Sequence, residues 1–309
     1  SLFAEADINE EMPRYGISLD LERADLHAIG INRRDSVSIL SANIGVEAFG
    51  HSIEEMDGEA SVANVRYESP AGELLTDRIV MEISGDDGLK AVNMTSDFFE
   101  VQYQSRSTYR EVFDYLYNSL KTYVPLLYDE NSGINMAEKA YANDYTVLKV
   151  EMRDNINELF NAVAEEVVMA PNTEATLMLN PGTNLLSLQA SSEGLEYDGI
   201  LMANCKVDIN NRQDSLSMWL NSSGVYMGSR LVMPDFSLTA GAQRNRITLS
   251  AGFRDREDRQ SGLLGMRAQF SRNQETKRRS IHIDIMPSHY TTATQQWRLL
   301  SRGIDIDST

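Results

Sequence analysis

Leu201-Met202-Ala203-Asn204-Cys205-Lys206-Val207-Asp208-Ile209 sets an apolar or small residue at every second position, with mostly polar residues between. Successive side chains on a pleated backbone leave on opposite sides, so this period of two marks a β-strand with one dry and one wet face. The same alternation returns at Leu186-Leu188-Ala190, Ile247-Leu249-Ala251-Phe253, Leu264-Met266-Ala268-Phe270 and Ile281-Ile283-Ile285, and earlier at Ile79-Met81-Ile83 and Phe99-Val101-Tyr103. Turn-forming clusters punctuate the runs: Ser69-Pro70-Ala71-Gly72, Gly85-Asp86-Asp87-Gly88, Asn210 to Asp214, and Asn221-Ser222-Ser223-Gly224. Such spacing predicts successive antiparallel hairpins. Gly72 to Met94, Gly199 to Leu220 and Gly228 to Leu249 each follow one loose pattern of strand, polar turn, strand.

Two segments change period. Tyr109, Val112, Phe113, Leu116, Leu120, Tyr123 and Val124 recur at helical offsets, with Ser107 or Thr108 placed to cap the start and Pro125 to stop the end. Ile156, Leu159, Phe160, Val163 and Val167 share a second helical face, with Asp154 or Asn155 as cap and Pro171 beyond the end. The polar stretch 129–143 between them reads as a linker. It separates a β-rich segment, 1–128, ending in the first helix, from a second, 144–309, beginning with a strand and the second helix.

Roughly 18 to 20 strands with one dry face each are expected, and two short helices cannot cover them. The dry faces must largely cover one another. The expected class is therefore mainly β: long antiparallel or mixed strands folded into an elongated trough or sandwich with an apolar interior, plus two short amphipathic helices.

Charge narrows the partners. The net charge of −18 argues against nucleic acid, whose phosphates need an excess of Lys and Arg. Arg244 to Arg279 runs against this, with ten basic and four acidic residues, and reads as arginine-bearing strand faces and turns or as a meeting place for an acidic group. The single cysteine, Cys205, alternates with Ala203 and Val207 and reads as a small buried hydrophobe. No run approaches the ~20 apolar residues of a membrane-spanning helix. The start, Ser1 to Glu11, has no basic or apolar leader region and reads as a strand joined midway, as in a piece of a longer chain.

Catalytic signatures are missing. Neither G-x-S-x-G, H-E-x-x-H, a phosphate-binding loop nor a dinucleotide fingerprint occurs. His282 and His289 would need Asp284 to make a metal site and read instead as solvent-facing strand residues, so no metal or cofactor is expected. Asp86-Asp87-Gly88 suits a tight turn better than a calcium loop, lacking the alternating acidic ligands. Glu165-Glu166 reads as an exposed helix edge. Tyr103, Tyr109, Tyr115, Tyr117, Tyr123 and Tyr128 suggest a tyrosine-rich packing face, or an aromatic platform for glycan.

The order of these features resembles a known family. Strands end near Ser96-Asp97-Phe98; a helix runs from Tyr109-Arg110-Glu111-Val112-Phe113 to Tyr123-Val124-Pro125; a strand and a second helix over 155–168 follow. Ile281-His282-Ile283-Asp284-Ile285-Met286-Pro287-Ser288 then precedes Trp297, nine positions beyond Ser288, and Gly303-Ile304-Asp305-Ile306. This succession resembles the TamB translocation and assembly family of the AsmA-like group, over nearly the whole chain. The resemblance implies a taco-like β-sheet with an apolar interior, in a periplasmic protein anchored by an N-terminal inner-membrane helix outside the present residues. It also implies pairing with a TamA-type outer-membrane barrel through other regions, and roles in outer-membrane protein assembly, secretion and phospholipid transport.

The expected function is accordingly non-enzymatic: an apolar conduit for phospholipid acyl chains between inner and outer membranes, or a scaffold for outer-membrane protein assembly. The groove wall is assigned to Leu186, Leu188, Leu201, Ala203, Val207, Ile209, Leu231, Met233, Ile247, Leu249, Phe253, Met266, Phe270, Ile281, Ile283 and Ile285. Phe113, Leu116, Leu159 and Phe160 are assigned to helices that plug or shield it. The same wall residues would equally serve as a closed core. That alternative is a cell-surface β-sandwich module binding glycan or protein through its loops; a hydrolase built on two carboxylates is a third.

Overall fold

The computed structural model describes residues 1–8, 12–51, 55–86, 88–127, 144–211, 215–255, 257, 259–273, 278–300 and 302–307. The expected linker 129–143, with Tyr128, Asp87, residues 212–214 and Lys277, lies outside them. Among the described residues are nineteen strands and two α-helices, α1 (Tyr109–Tyr123) and α2 (Ile156–Val163), so the chain is mainly β with antiparallel pairing. None of the described helices is long and apolar enough to cross a membrane. The chain forms two compact units: unit 1 comprises Ser1–Thr108, Thr146–Thr176 and Ser192–Gly199, and unit 2 comprises Tyr109–Tyr145, Leu177–Ser191 and Ile200–Thr309.

Unit 1 is a meander of β1 (Leu2–Asp7), β2 (Arg14–Asp25), β3 (Ile39–Phe49), β4 (Asp57–Ser69), β5 (Gly72–Asp86), β6 (Leu89–Thr95), β7 (Phe99–Ser105) and β8 (Thr146–Met152). Each strand pairs antiparallel with the next. Ser69 opposes Gly72, so Pro70-Ala71 alone makes the β4–β5 turn, as the sequence implies. The core is a cluster of Leu74, Phe98 and Ile156, with Leu159 and Phe160 of α2 packed against it. Phe98 is locked by its backbone as well: its N–H donates to Ser96 Oγ at 3.1 Å, and its carbonyl accepts from the Arg153 N–H at 2.8 Å.

The second helix is shorter than its sequence period. Val167 continues the apolar spacing, yet it belongs to β9 (Val167–Met169) and opposes Tyr197 in β11 (Leu185–Tyr197). The cause is local. Asn157 on α2 accepts the Met169 N–H and donates to the Met169 carbonyl, both at 2.9 Å, so its side chain stands in for a neighbouring strand. The β-branched pair Val167-Val168 also favours extended backbone. Glu165-Glu166 therefore sits in the connecting turn, exposed. β10 (Glu174–Asn180) and β11 each contribute to both units.

In unit 2, β12 (Ile200–Asn210), β13 (Leu216–Met227), β14 (Arg230–Gln243), β15 (Arg246–Arg254), β16 (Ser261–Arg272) and β17 (Arg279–Thr291) pair in sequence order. Arg244 and Asn245, both at positive φ (48° and 59°), form the tight β14–β15 turn. The cluster Asn221-Ser222-Ser223-Gly224, expected as a turn, lies inside β13. Its serines are satisfied by the sheet: Ser222 Oγ donates to the Ala203 carbonyl at 2.7 Å, and Asn204 Nδ2 donates to Ser223 Oγ at 2.9 Å.

β17 passes through Pro287, which has no N–H for the ladder. The break is used twice. On one side the register slips between Leu263 and Gly265 of β16, and buried Ser288 accepts the Gly265 N–H at 3.0 Å while donating to the Met286 carbonyl at 2.8 Å. On the other side, β17 changes partner, pairing through Ser280–Ile285 with β19 (Arg302–Asp307) and through Ser288–Thr291 with β18 (Gln296–Leu299). Ser288→Ala leaves a buried N–H without an acceptor, at a cost of about 1–3 kcal/mol. The expected result is a lower urea midpoint with an unchanged slope; a midpoint equal to wild type removes this role from Ser288.

Candidate functional site

Cross-strand register turns the alternation into continuous rows, since residues directly opposite one another share a face. In unit 2 one row runs Ile209–Met218–Ala240–Leu249–Met266–Ile285 across six strands. The next runs Leu216–Ala242–Ile247–Ala268–Ile283–Ile304. A third runs Val207–Leu220–Leu238–Ala251–Leu264. Strands lie ~4.8 Å apart, so a six-strand row is about 24 Å long. The other face carries polar rows, with Thr248, Arg267 and Asp284 in one and Arg246, Gln269 and His282 in another.

These rows are not sealed. Of the sixteen assigned wall residues only Leu186 is buried; Leu231 and Met233 are exposed and the other thirteen are half-buried. Ile247, Leu249, Met266, Ile283 and Ile285 sit together in the rows above, as do Val207 and Ile209 at their β12 end. Phe270 opposes Ile281. Leu201 opposes Tyr226 and Ala203 opposes Gly224. Leu231 and Met233 lie on either side of a register shift, opposite Tyr226 and Val225. Leu188 lies half-buried on β11. Cys205, on the same strand as Ala203 and Val207, is buried, and burial pushes its thiol up, away from the reactive thiolate.

One end of the rows meets the cluster that α1 helps to build. Tyr115, Leu179 and Leu186 form the buried core of unit 2, with Val112, Leu116, Ile209 and Leu216 packed on it. Leu116 thus shares this cluster with two residues that begin half-buried rows. Phe113 is 71% exposed, while Leu159 and Phe160 pack in the core of unit 1. The Tyr115 hydroxyl donates to the Leu185 carbonyl at 3.2 Å, and burial raises its pKa. The α1 end is held by Asn245, whose N–H donates to the Tyr123 carbonyl at 3.0 Å and whose Oδ1 accepts the Leu126 N–H at 2.9 Å.

Toward the other end of β15 the face opens into an apolar hollow of about 430 Å³. Phe253, Gly262, Tyr290 and Trp297 form one row across β15, β16, β17 and β18. Tyr290 stacks on Trp297 with ring centroids 5.4 Å apart, and Phe253 lies tilted 6.1 Å from Tyr290. Gly262 makes the row possible, because a Cβ there would run into the Phe253 ring. Phe236, Leu264 and Leu299 line the hollow, with Ser288, His289 and Arg298 as its polar lining residues. Its size and lining are those of a site for an apolar small molecule.

Sequence reading missed Met218, Leu220, Leu238, Phe236, Tyr290 and Trp297 as wall. Leu216-Ser217-Met218-Trp219-Leu220 carried the alternation and was available. No local signal joins Trp297 to Phe253, which only register brings onto one row.

Unit 1 repeats the design. Ala4–Ile17–Val46–Ala60–Met81–Met94–Val101–Val150 is an apolar row over eight strands, and none of its members is buried. The adjacent row on the opposite face is Glu5–Gly16–Glu47–Glu59–Glu82–Asn93–Gln102–Lys149. Like charges meet there at Glu47, Glu59 and Glu82, eased by Arg14 at 3.7 Å from Glu47 and Arg78 at 2.7 Å from Glu59.

Among the described residues no group of three or more His, Cys, Asp or Glu could hold a metal ion. His282 contacts Asp284 at 3.1 Å and opposes β19, whereas His289 opposes Arg298 of β18. Comparison with family models, with curated proteins and with solved structures gives no match.

Proposed function

We propose that this chain is a non-enzymatic cell-envelope protein whose open apolar faces carry phospholipid acyl chains. On this reading it works in the periplasm, as a conduit between inner and outer membranes or a scaffold for outer-membrane protein assembly. The observation that carries the proposal is that the two six-strand apolar rows hold no fully buried residue. An ordinary core buries such residues, and burying each Leu, Ile or Phe is worth ~1.5–3 kcal/mol. A row left open across six strands is therefore a standing driving force for an apolar guest. Acyl chains need no hydrogen bonds, which fits rows built from apolar side chains alone. The resemblance to TamB-family chains supports the same reading and the proposed partners: a TamA-type barrel and a membrane anchor, both engaging regions outside these residues.

The test uses the two tryptophans. Trp219 is replaced by Phe, leaving Trp297 in the hollow as reporter. Adding dibrominated stearic acid should quench Trp297 saturably, and unlabelled phospholipid should reverse the quenching. Linear, unsaturable quenching would overturn the proposal. Binding of soluble glycan with a Trp297 shift, and no response to the fatty acid, would instead favour the surface-binding reading that the exposed Tyr290–Trp297 stack suggests.

A further inference from the structure

We propose that α1 is a displaceable plug that acyl chains must lift to occupy the full length of the unit 2 rows. The inference rests on the acyl-chain reading above and adds its regulation.

Three observations carry it. First, α1 sits on the surface assigned to the ligand. Val112 and Leu116 pack on the same buried cluster, with Tyr115 of the helix itself, as Ile209 and Leu216 do, and these two residues begin half-buried rows that run to Ile285 and Ile304. Helix and acyl chain therefore compete for the same apolar side chains. Second, the docked helix is imperfectly satisfied. Asn118 Nδ2 is shut off from solvent without a hydrogen-bond partner, a cost that lifting would relieve. Phe113 and Leu120, seven residues apart and so on one side of the helix, stay exposed beside the contact. Third, among the described residues the hydrogen bonds that hold the helix end, beside the buried Tyr123 and Val124, come from one residue. Asn245, in the left-handed conformation of a tight turn, bonds the Tyr123 carbonyl and the Leu126 N–H with its own backbone and side chain. A latch made by one asparagine can open without dismantling the sheet, because the β14–β15 ladder does not pass through it.

The experiment measures hydrogen exchange of the α1 amides and the affinity for dibrominated stearic acid, in the whole chain and three variants. Asn245→Ala removes the Leu126 acceptor and should loosen α1, raising its exchange and tightening probe binding several-fold. Asn245→Asp keeps an acceptor and should behave as wild type, which separates latch loss from general damage. Asn118→Leu replaces the unpaired amide with an apolar group and should do the opposite, slowing exchange and weakening binding several-fold. In the wild type, saturating probe should deprotect α1. Probe binding with unchanged α1 protection, or with affinity indifferent to both Asn245→Ala and Asn118→Leu, overturns the plug and leaves the acyl-chain reading standing. Absence of probe binding in every variant overturns both.

Discussion

Leu249→Arg is expected to leave the protein folded and to cost it the fatty acid. Leu249 lies mid-row between Ala240 and Met266, with Ile247 and Ala251 on the same side of its strand. It is half-buried, so an arginine there can lay its stem along the sheet and send its guanidinium to water, sparing the fold. The charge then interrupts the apolar path at its centre, where an acyl chain would have to strip its hydration. Affinity for the brominated probe should fall at least about tenfold, or roughly 1.4 kcal/mol. Ile283→Asp, between Ala268 and Ile304 in the neighbouring row, should act alike. Quenching curves that overlay wild type, in variants with wild-type melting, would strike these positions from the wall.

Phe98→Ala has the opposite profile, a large loss of stability. Phe98 is 1% exposed and packs between Leu74 and Ile156, the latter at the first turn of α2. Removing a buried phenyl costs about 3–5 kcal/mol through lost transfer energy and the cavity left behind. Folded domains hold only about 5–15 kcal/mol in all, so a large share of the stability goes. Denaturant unfolding should show the drop, and hydrogen exchange should locate it in α2 and β5. The separate cluster of Tyr115, Leu179 and Leu186 should keep its protection. An unchanged midpoint would mean that Phe98 is not the keystone of its unit.

These two residues contrast because one apolar pattern leads to two environments. Phe98 and Leu249 are both large and apolar in sequence, and nothing local marks one as sealed and the other as open. The strands themselves were legible: β5, β7, β12, β15, β16 and β17 all cover the alternating runs that announce them. Helix α1 was legible to within a residue, because Pro125 ends it and its apolar spacing is unbroken. α2 was overrun at Val167, because the competing signal, the Asn157 clamp on Met169, acts across a turn. Asn221 to Gly224 was misread as a turn, because serine and asparagine favour turns only when the sheet offers them no partners, and here Ala203 and Asn204 do.

By itself, then, the sequence determined that β5, β7, β12, β15, β16 and β17 are strands, which side of each is dry, where α1 begins and ends, and that no familiar catalytic motif is present. These follow from the pleat and the helical turn, which are properties of consecutive residues. Only the tertiary structure decided which dry residues stand in one row, that Phe253, Tyr290 and Trp297 meet around a hollow, and that Ile209 and Leu216 pack on the cluster α1 helps to build. Register and coverage depend on pairings between residues far apart in the chain, and the free energy that selects them is spread over many weak contacts rather than written at any one position.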